Sequence, residues 1–329
     1  MKFPMKAIIW TRYGPPDVLE MREVEKPIPR DDEVLIKVHA ASAFAGDCEL
    51  RRLHIARSVW PFLRLYIGLT RPKRITILGQ EMAGEVESVG KNVARFRTGD
   101  RVFGISGMKM GTYAEYVCIS ERRPLSTIPD EMPYEQAAAV SAGGFEALHF
   151  LRKANVKRGQ SVLINGAGGS IGTMALQLVK MTGAEATCVD AGSKLDMLKE
   201  LGADHVIDYS KEDFADLKER YDVIFDVVGK MPYVRGMRSL KEDGTLILGN
   251  SGFIVPKIYG LLASLTGRGR VLSNLADGTT SELEELKGLT SSGKVKVVID
   301  RCFPLEHAAD AHRYVESGEK KGNVVIIMR

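Results

Sequence analysis

The sequence predicts an α/β protein of two domains, one of them a parallel sheet covered by helices on both faces. Three observations predict it. At 329 residues the chain exceeds what a single hydrophobic core usually fills. After Pro133 the pattern changes from short β-branched runs to strands that alternate with helices. A glycine-rich turn joins one of those strands to the helix that follows it.

Residues 1–130 are strand-rich. VLIKVHA (34–40), MAGEVESVG (82–90), DRVFGI (100–105) and TYAEYVCI (112–119) are short runs with β-branched residues, bounded by Gly or Asp. From 131 to 295 the reading is different. Residues 134–151 read as a helix broken near Gly143 and Gly144. Strands follow at 161–165, 185–190, 205–208, 221–228 and 244–249, with helices at 170–181 and 194–201. In the first of these two helices Ile171, Met174, Ala175 and Leu178 share one face. Strands and helices alternating at this length imply a doubly wound parallel sheet. The last segment, 294–328, reads strand, helix, strand. It either extends the second domain or returns to the first.

Hydrophobic content of 44% and charged content of 27% fit a soluble globular protein. The net charge of +4 is mild and gives no footprint for nucleic acid. Cys48, Cys118, Cys188 and Cys302 are too scattered for a metal knuckle and suit a reducing compartment. The start lacks a signal peptide's apolar core and cleavage site. No apolar run is long enough to span a bilayer. The expectation is a cytoplasmic protein without stable membrane insertion. His39, His54, His149, His205, His307 and His312 are dispersed and read as solvated or internally satisfied.

VLINGAGGSIG (162–172) carries the most specific local signal. A strand runs into Gly166, Gly168, Gly169 and Gly172, and a helix begins at Ser170 and Ile171. Glycines permit a tight turn and let backbone approach a pyrophosphate, while the helix N-terminus supplies N–H groups and positive potential. The spacing is G-x-x-G-x-x-G over Gly166, Gly169 and Gly172. Asp190 closes the next strand, where an acid accepts from adenosine ribose hydroxyls and repels a 2′-phosphate. Its alternative is a helix cap. Lys194 and Tyr209 lie close behind. Lys194 either pairs with a 2′-phosphate or is an exposed first-turn lysine. The expectation is NAD(P)H binding, leaning to NADH.

A second feature is ILGQEMAGEV (77–86), in which Gln80 and Glu81 interrupt an apolar run. Buried polar groups cost free energy unless something pairs with them.

With these segments in view, the chain resembles the medium-chain dehydrogenases/reductases, and within them the zinc-free quinone oxidoreductase group. The resemblance rests on YGPPDVLEMREVEKPIP (13–29), ASAFAGDCELR (41–51), ILGQEMAGEVESVG (77–90) and FRTGDRVFG (96–104). It continues through GTYAEYV (111–117), GAGGSIG (166–172), LGADHVIDYSKEDF (201–214) and YDVIFDVVG (221–229). It implies a GroES-like, partly open β-barrel from 1–130 and 296–329, and a Rossmann domain from 131–295 inserted in it. The active site is expected in the cleft between them. Zinc-dependent members place ligands where this chain has Phe44, Gln80 and Ala142, so no metal is expected. Many zinc-free members carry Asn at the Phe44 position, whereas Asp47 and Glu81 match the family pattern. Phe44, Asp47, Gln80 and Tyr259 are the expected pocket residues. Region 253–267 often forms a dimer contact or closes the cleft in the family, and a homodimer is expected.

Without a metal, a plain carbonyl is poorly polarised. Quinones and α,β-unsaturated carbonyls are easier hydride acceptors, because the negative charge spreads to oxygen and a hydrogen-bond donor delivers the proton. Gln80, Tyr66 and Tyr259 are the candidate donors, Gln80 and Tyr66 foremost, with packing as the alternative role for each tyrosine. The rivals are an NAD(P)-dependent alcohol or aldehyde dehydrogenase and a non-catalytic dinucleotide-binding protein. WPFLRLYIGLTRPKR (60–74) combines bulky apolar and basic residues. It touches a membrane surface, caps a pocket, or packs on its own domain with solvated basic ends.

Overall fold

The computed structural model describes residues 3–53, 60–229, 231–249, 254–267, 269–273 and 278–328. His54 lies outside them. Two compact units form: Met1–Ala142 with Asp277–Arg329, and Gly143–Ala276.

The first unit opens with the antiparallel pair β1 (Pro4–Trp10) and β2 (Leu19–Glu25). Next come β3 (Glu33–Ser42), α1 (Ala45–Arg52), α2 (Trp60–Ile67), β4 (Glu81–Val89) and β5 (Arg101–Ile105). β6 (Tyr116–Ser120), β7 (Leu125–Thr127) and the start of α3 (Tyr134–Ala154) follow. β3 alternates little, because both its faces are covered: eight of its ten residues are buried. It pairs antiparallel with β4 along its length, and on its other side with β6 at its N-terminal end.

The second unit is a six-stranded, all-parallel sheet. Its strands are β8 (Ser161–Asn165), β9 (Glu185–Asp190), β10 (His205–Asp208), β11 (Tyr221–Asp226), β12 (Leu240–Leu248) and β13 (Arg270–Leu272). Between them run α4 (Ser170–Thr182), α5 (Leu195–Glu200), α6 (Tyr233–Ser239) and α7 (Ile254–Thr266). The spatial order is β10-β9-β8-β11-β12-β13. Numbered within the unit this is 3-2-1-4-5-6, which makes the β8/β11 junction the point where strand order reverses and ligands bind at the strands' carboxyl ends. Leu163 and Ile224 are fully buried because sheets of this kind are covered on both faces. α4 stops at Gly183, whose φ of 79° gives the left-handed residue that ends a helix.

The chain then forms α8 (Thr280–Ser291), β14 (Ile299–Pro304), α9 (Ala308–Glu316) and β15 (Asn323–Ile327). Thr279 and Glu282 form a reciprocal capping box that starts α8. β15 pairs antiparallel with β3, so the C-terminal segment joins the first unit's sheet. α8 groups with that unit as well, through Ser126, which donates to Glu284 at the foot of β7. The compact units therefore divide at 142 and 277, against the expected domain bounds of 130 and 296.

One expectation is corrected. α3 runs unbroken through Gly143 and Gly144. Gly143 is there for close approach: a Cβ on it would lie 2.9 Å from the Ser170 carbonyl oxygen. Gly84 plays the same part between strands. A Cβ there would sit 2.2 Å from the Lys37 carbonyl oxygen and 2.8 Å from Ile36 Cγ2. Gly84→Ala should therefore destabilise the protein by about 1–3 kcal/mol, as overpacking does, read as a lower midpoint in urea unfolding.

Candidate active site

In the second unit the site is built by removing side chains. Gly166 ends β8 with φ 84°. Its N–H and that of Ala167 donate to the Val189 carbonyl at 3.0 and 3.2 Å, pinning the turn to the end of β9. A Cβ on Gly172 would lie 2.4 Å from the Gly166 oxygen, so glycine lets the first turn of α4 rest on the loop. A Cβ on Gly168 would fall 2.5 Å from Lys194 Cδ and 3.0 Å from Asp190 Oδ2. Gly169 is the N-cap, and nothing but the Gly166 oxygen, at 3.7 Å, would meet a Cβ there. The first-turn amides of Ser170, Ile171 and Gly172 stand at the N-terminus of α4, where a helix supplies N–H groups and positive potential. A turn stripped of Cβ atoms that leads into helix amides fits a pyrophosphate.

Asp190 makes its own contacts within the turn. Its Oδ2 accepts from Gly168 N at 2.7 Å and its Oδ1 from Ala191 N at 2.8 Å. Lys194 Nζ lies 3.0 Å from Oδ1, and both side chains are under 10% exposed. The carboxylate braces the glycine turn and holds the lysine. Tyr209 stands beside it, 63% exposed, with its N–H 3.3 Å from the Asp190 carbonyl. Tyr259 packs within its own unit, with its ring on Tyr233 and its hydroxyl 3.5 Å from the Met231 carbonyl.

In the first unit the polar pair is now explained. Glu81 begins β4 and is 1% exposed. Ser42 Oγ donates to one carboxylate oxygen and Ala142 N to the other, so Glu81 ties the ends of β3 and of residues 134–142 to β4. The Gln80 carbonyl accepts from Ser106 N at 2.8 Å and Ser106 Oγ at 3.2 Å, and its side chain is half-buried. Ser106 also lines a cavity of about 180 Å³ together with Tyr66, Met108, Lys109, Cys118 and Arg123. The Tyr66 ring lies under the Arg74 guanidinium at 4.1 Å.

Asp47, on α1, is fully buried. Its Oδ2 accepts from Tyr113 at 2.9 Å, while Oδ1 makes no well-formed hydrogen bond. Burial pushes its carboxyl up to about 6, against the pull of Tyr113, of the Gln80 amide and of nearby backbone N–H groups. Behind Tyr113 lies a chain of contacts that sequence reading did not find. Arg51 Nη1 is 2.7 Å from His312 Nδ1, and His312 Nε2 is 3.2 Å from the Tyr113 hydroxyl. A guanidinium only donates, so Nδ1 accepts and the neutral ring carries its proton on Nε2. That N–H donates to Tyr113, whose own proton turns to Asp47, with the Ser42 carbonyl at 3.2 Å as a second acceptor. The far side of Arg51 pairs with Glu316. Burial, then Arg51, lowers the His312 ring to about 3. Cys48 Sγ lies 3.3 Å from the same Nδ1, and burial pushes its thiol well up.

Phe44 is the N-cap residue of α1 and contributes no ligating atom. Phenyl, amide and methyl side chains at 44, 80 and 142 do not fit a zinc ion. Among the described residues no group of three His, Cys, Asp or Glu side chains is arranged to hold a metal ion.

His312 gives stability a sign with pH. An unfolded histidine takes up a proton below 6.5, and the folded ring refuses it down to about 3. Its contribution is full above 6.5 and is lost as pH falls toward 3, up to about 5 kcal/mol. Asp47, raised from 3.8 to about 6, acts oppositely. It favours the fold below 3.8, and that contribution is lost as pH rises through 6, up to about 3 kcal/mol. His312→Gln should shrink the drop in urea midpoint between pH 7 and pH 4. Tyr113→Phe, which strands a buried carboxyl and an imidazole N–H, should cost about 2–4 kcal/mol.

Two family models match the chain: an alcohol dehydrogenase GroES-like domain over residues 30–130 and a zinc-binding dehydrogenase over residues 201–326. The chain is 32% identical to a 2-methylene-furan-3-one reductase of Solanum lycopersicum, over 98% of this chain and 79% of that one. It is also 32% identical, with the same coverage, to the chloroplastic NADPH-dependent alkenal/one oxidoreductase of Arabidopsis thaliana. The quinone oxidoreductase structure from Coxiella burnetii superposes with a TM-score of 0.88 at 32% identity, covering 99% of this chain and all of that one. The glycine turn, the 3-2-1-4-5-6 sheet and the C-terminal return to the first sheet accord with these matches, and the chain belongs to the quinone oxidoreductase-like group of the medium-chain dehydrogenases/reductases.

Proposed function

We propose that the protein is a zinc-independent oxidoreductase that reduces quinones or α,β-unsaturated carbonyls at the expense of NADPH. The observation that carries this is the glycine cradle at the strand-order reversal. The non-ligating set of Phe44, Gln80 and Ala142 and the names of the relatives support it. When bound, the reduced nicotinamide supplies the hydride. The chain's own residues do the rest. The amides of Ser170, Ile171 and Gly172 hold a pyrophosphate, and glycine at 166 and 168 keeps the approach open. Gln80 donates from its side-chain amide to the oxygen on which charge develops, with Tyr66 as the second donor.

NADPH is preferred here over the NADH expected from sequence. Asp190 accepts from Gly168 and Ala191, which leaves fewer of its acceptor sites for ribose hydroxyls. It holds Lys194 at the end of β9, where a cation suits a 2′-phosphate. The name of the Arabidopsis thaliana relative states NADPH dependence. A homodimer is part of the same proposal. Ile258, Leu261, Leu262 and Leu265 of α7 are 37–75% exposed at i, i+3, i+4 and i+7, beside the edge strand β13, and that face suits a second copy. The described cysteines are all free, which suits a cytoplasmic protein.

Purified protein mixed with NADPH and a panel of quinones and enones should oxidise the cofactor, with NADH the poorer donor. Activity with none of the acceptors, or equal use of both cofactors, would overturn the respective half of the reading. Lys194→Ala should raise KM for NADPH about tenfold or more and leave NADH little changed. Gln80→Leu should lower kcat by about a hundredfold if it is the donor, and Tyr66→Phe much less.

A further inference from the structure

α2 is apolar on two sides. Leu63 and Ile67 face inward and pack on the first unit's core. Phe62 and Leu65, three residues apart, point the other way at 73% and 76% exposed, and Leu69 just beyond the helix is 66% exposed. A helix that is apolar all round belongs inside something. No acidic residue occurs from 52 to 80, whereas Arg52, Arg57, Arg64, Arg71, Lys73 and Arg74 do. Those six charges exceed the chain's whole net charge of +4. Arg64, Arg71, Lys73 and Arg74 are exposed; Arg64 lies over the Tyr13 and Trp60 rings and Arg74 over the Tyr66 ring.

We infer that α2 and the basic residues after it are a docking surface for an anionic lipid bilayer. Phe62, Leu65 and Leu69 enter the boundary between headgroups and acyl chains, and Arg64, Arg71, Lys73 and Arg74 meet the phosphates. The charge pattern selects this occupant. A second copy would bring the same positive charges to a twofold contact and repel. The exposed face of α7 differs in this respect, since Lys257 is the one charged residue between 254 and 266. A nucleic acid would satisfy the arginines but leave two leucines and a phenylalanine facing phosphate. The docking is peripheral, since no described helix is long and apolar enough to cross a membrane. It stands independently of the enzymatic reading.

The chain carries its own reporter. Its two tryptophans are Trp10, 1% exposed in the core, and Trp60, the first residue of α2. Full-length protein is mixed with vesicles of phosphatidylcholine alone or with phosphatidylglycerol added, at low and high salt. The expected result is sedimentation with the anionic vesicles only, weakened by salt, with brominated lipid quenching part of the tryptophan emission. Lys73→Glu with Arg74→Glu, and separately Phe62→Ser with Leu65→Ser, should each lower partitioning at least tenfold. All four side chains are exposed, and circular dichroism confirms that the variants fold. Equal binding to neutral vesicles, no binding to anionic ones, or partitioning unchanged in both variants would overturn the inference.

Discussion

Two carboxylates buried in one unit, Asp47 and Glu81, at 0% and 1% exposure, set the terms for the rest of that unit. A charge out of water is costly unless donors surround it, and stripping a partner from it costs more than the pair gains. Glu81 meets the requirement with local means. Ser42 and the Ala142 amide converge on it, so the end of β3, the start of β4 and the run 134–142 share one anchor. The cost of an acid in an apolar run is offset by the three segments it joins.

Asp47 meets it with distant means, and the solution has a direction. Arg51 has no lone pair to offer, so every proton along His312 and Tyr113 is turned toward Asp47. The positive charge at the head is itself held by Glu316. α1 and α9 are therefore joined by a polar chain running through their shared core, and the same chain fixes what Gln80 meets on its inner side. The Gln80 amide, like Tyr113, draws the Asp47 carboxyl down against the rise that burial imposes.

The second unit faces another problem, access for backbone rather than burial of charge. Its answer is the absence of Cβ atoms at Gly166, Gly168 and Gly172 and an acid that braces the turn from behind. Both exposed apolar helices follow from the same economy of charge. α7 is almost uncharged and suits a like surface, while α2 is ringed by cations and suits an anionic one.

Much of this was legible in sequence. The strands 161–165, 185–190 and 205–208 stand where the period and the glycine spacing put them, because strand alternation and turn chemistry are local. The glycine cradle was legible for the same reason. Gly143 misled, because a glycine inside a helix marks either a break or a close approach, and the neighbour that decides, Ser170, is not in the local sequence. Asp190 was found, but its role depended on whether its oxygens were already taken. The chain from Arg51 to Asp47 left no trace, since Tyr113 and His312 are 199 residues apart and Arg51 and Glu316 265 apart. The sequence by itself determined the two-domain α/β class, the glycine-rich strand–turn–helix and the non-ligating residues at 44, 80 and 142. Only the tertiary structure decided which buried acids are satisfied and by whom, because hydrogen bonds act across a few ångströms of space, whatever their separation along the chain.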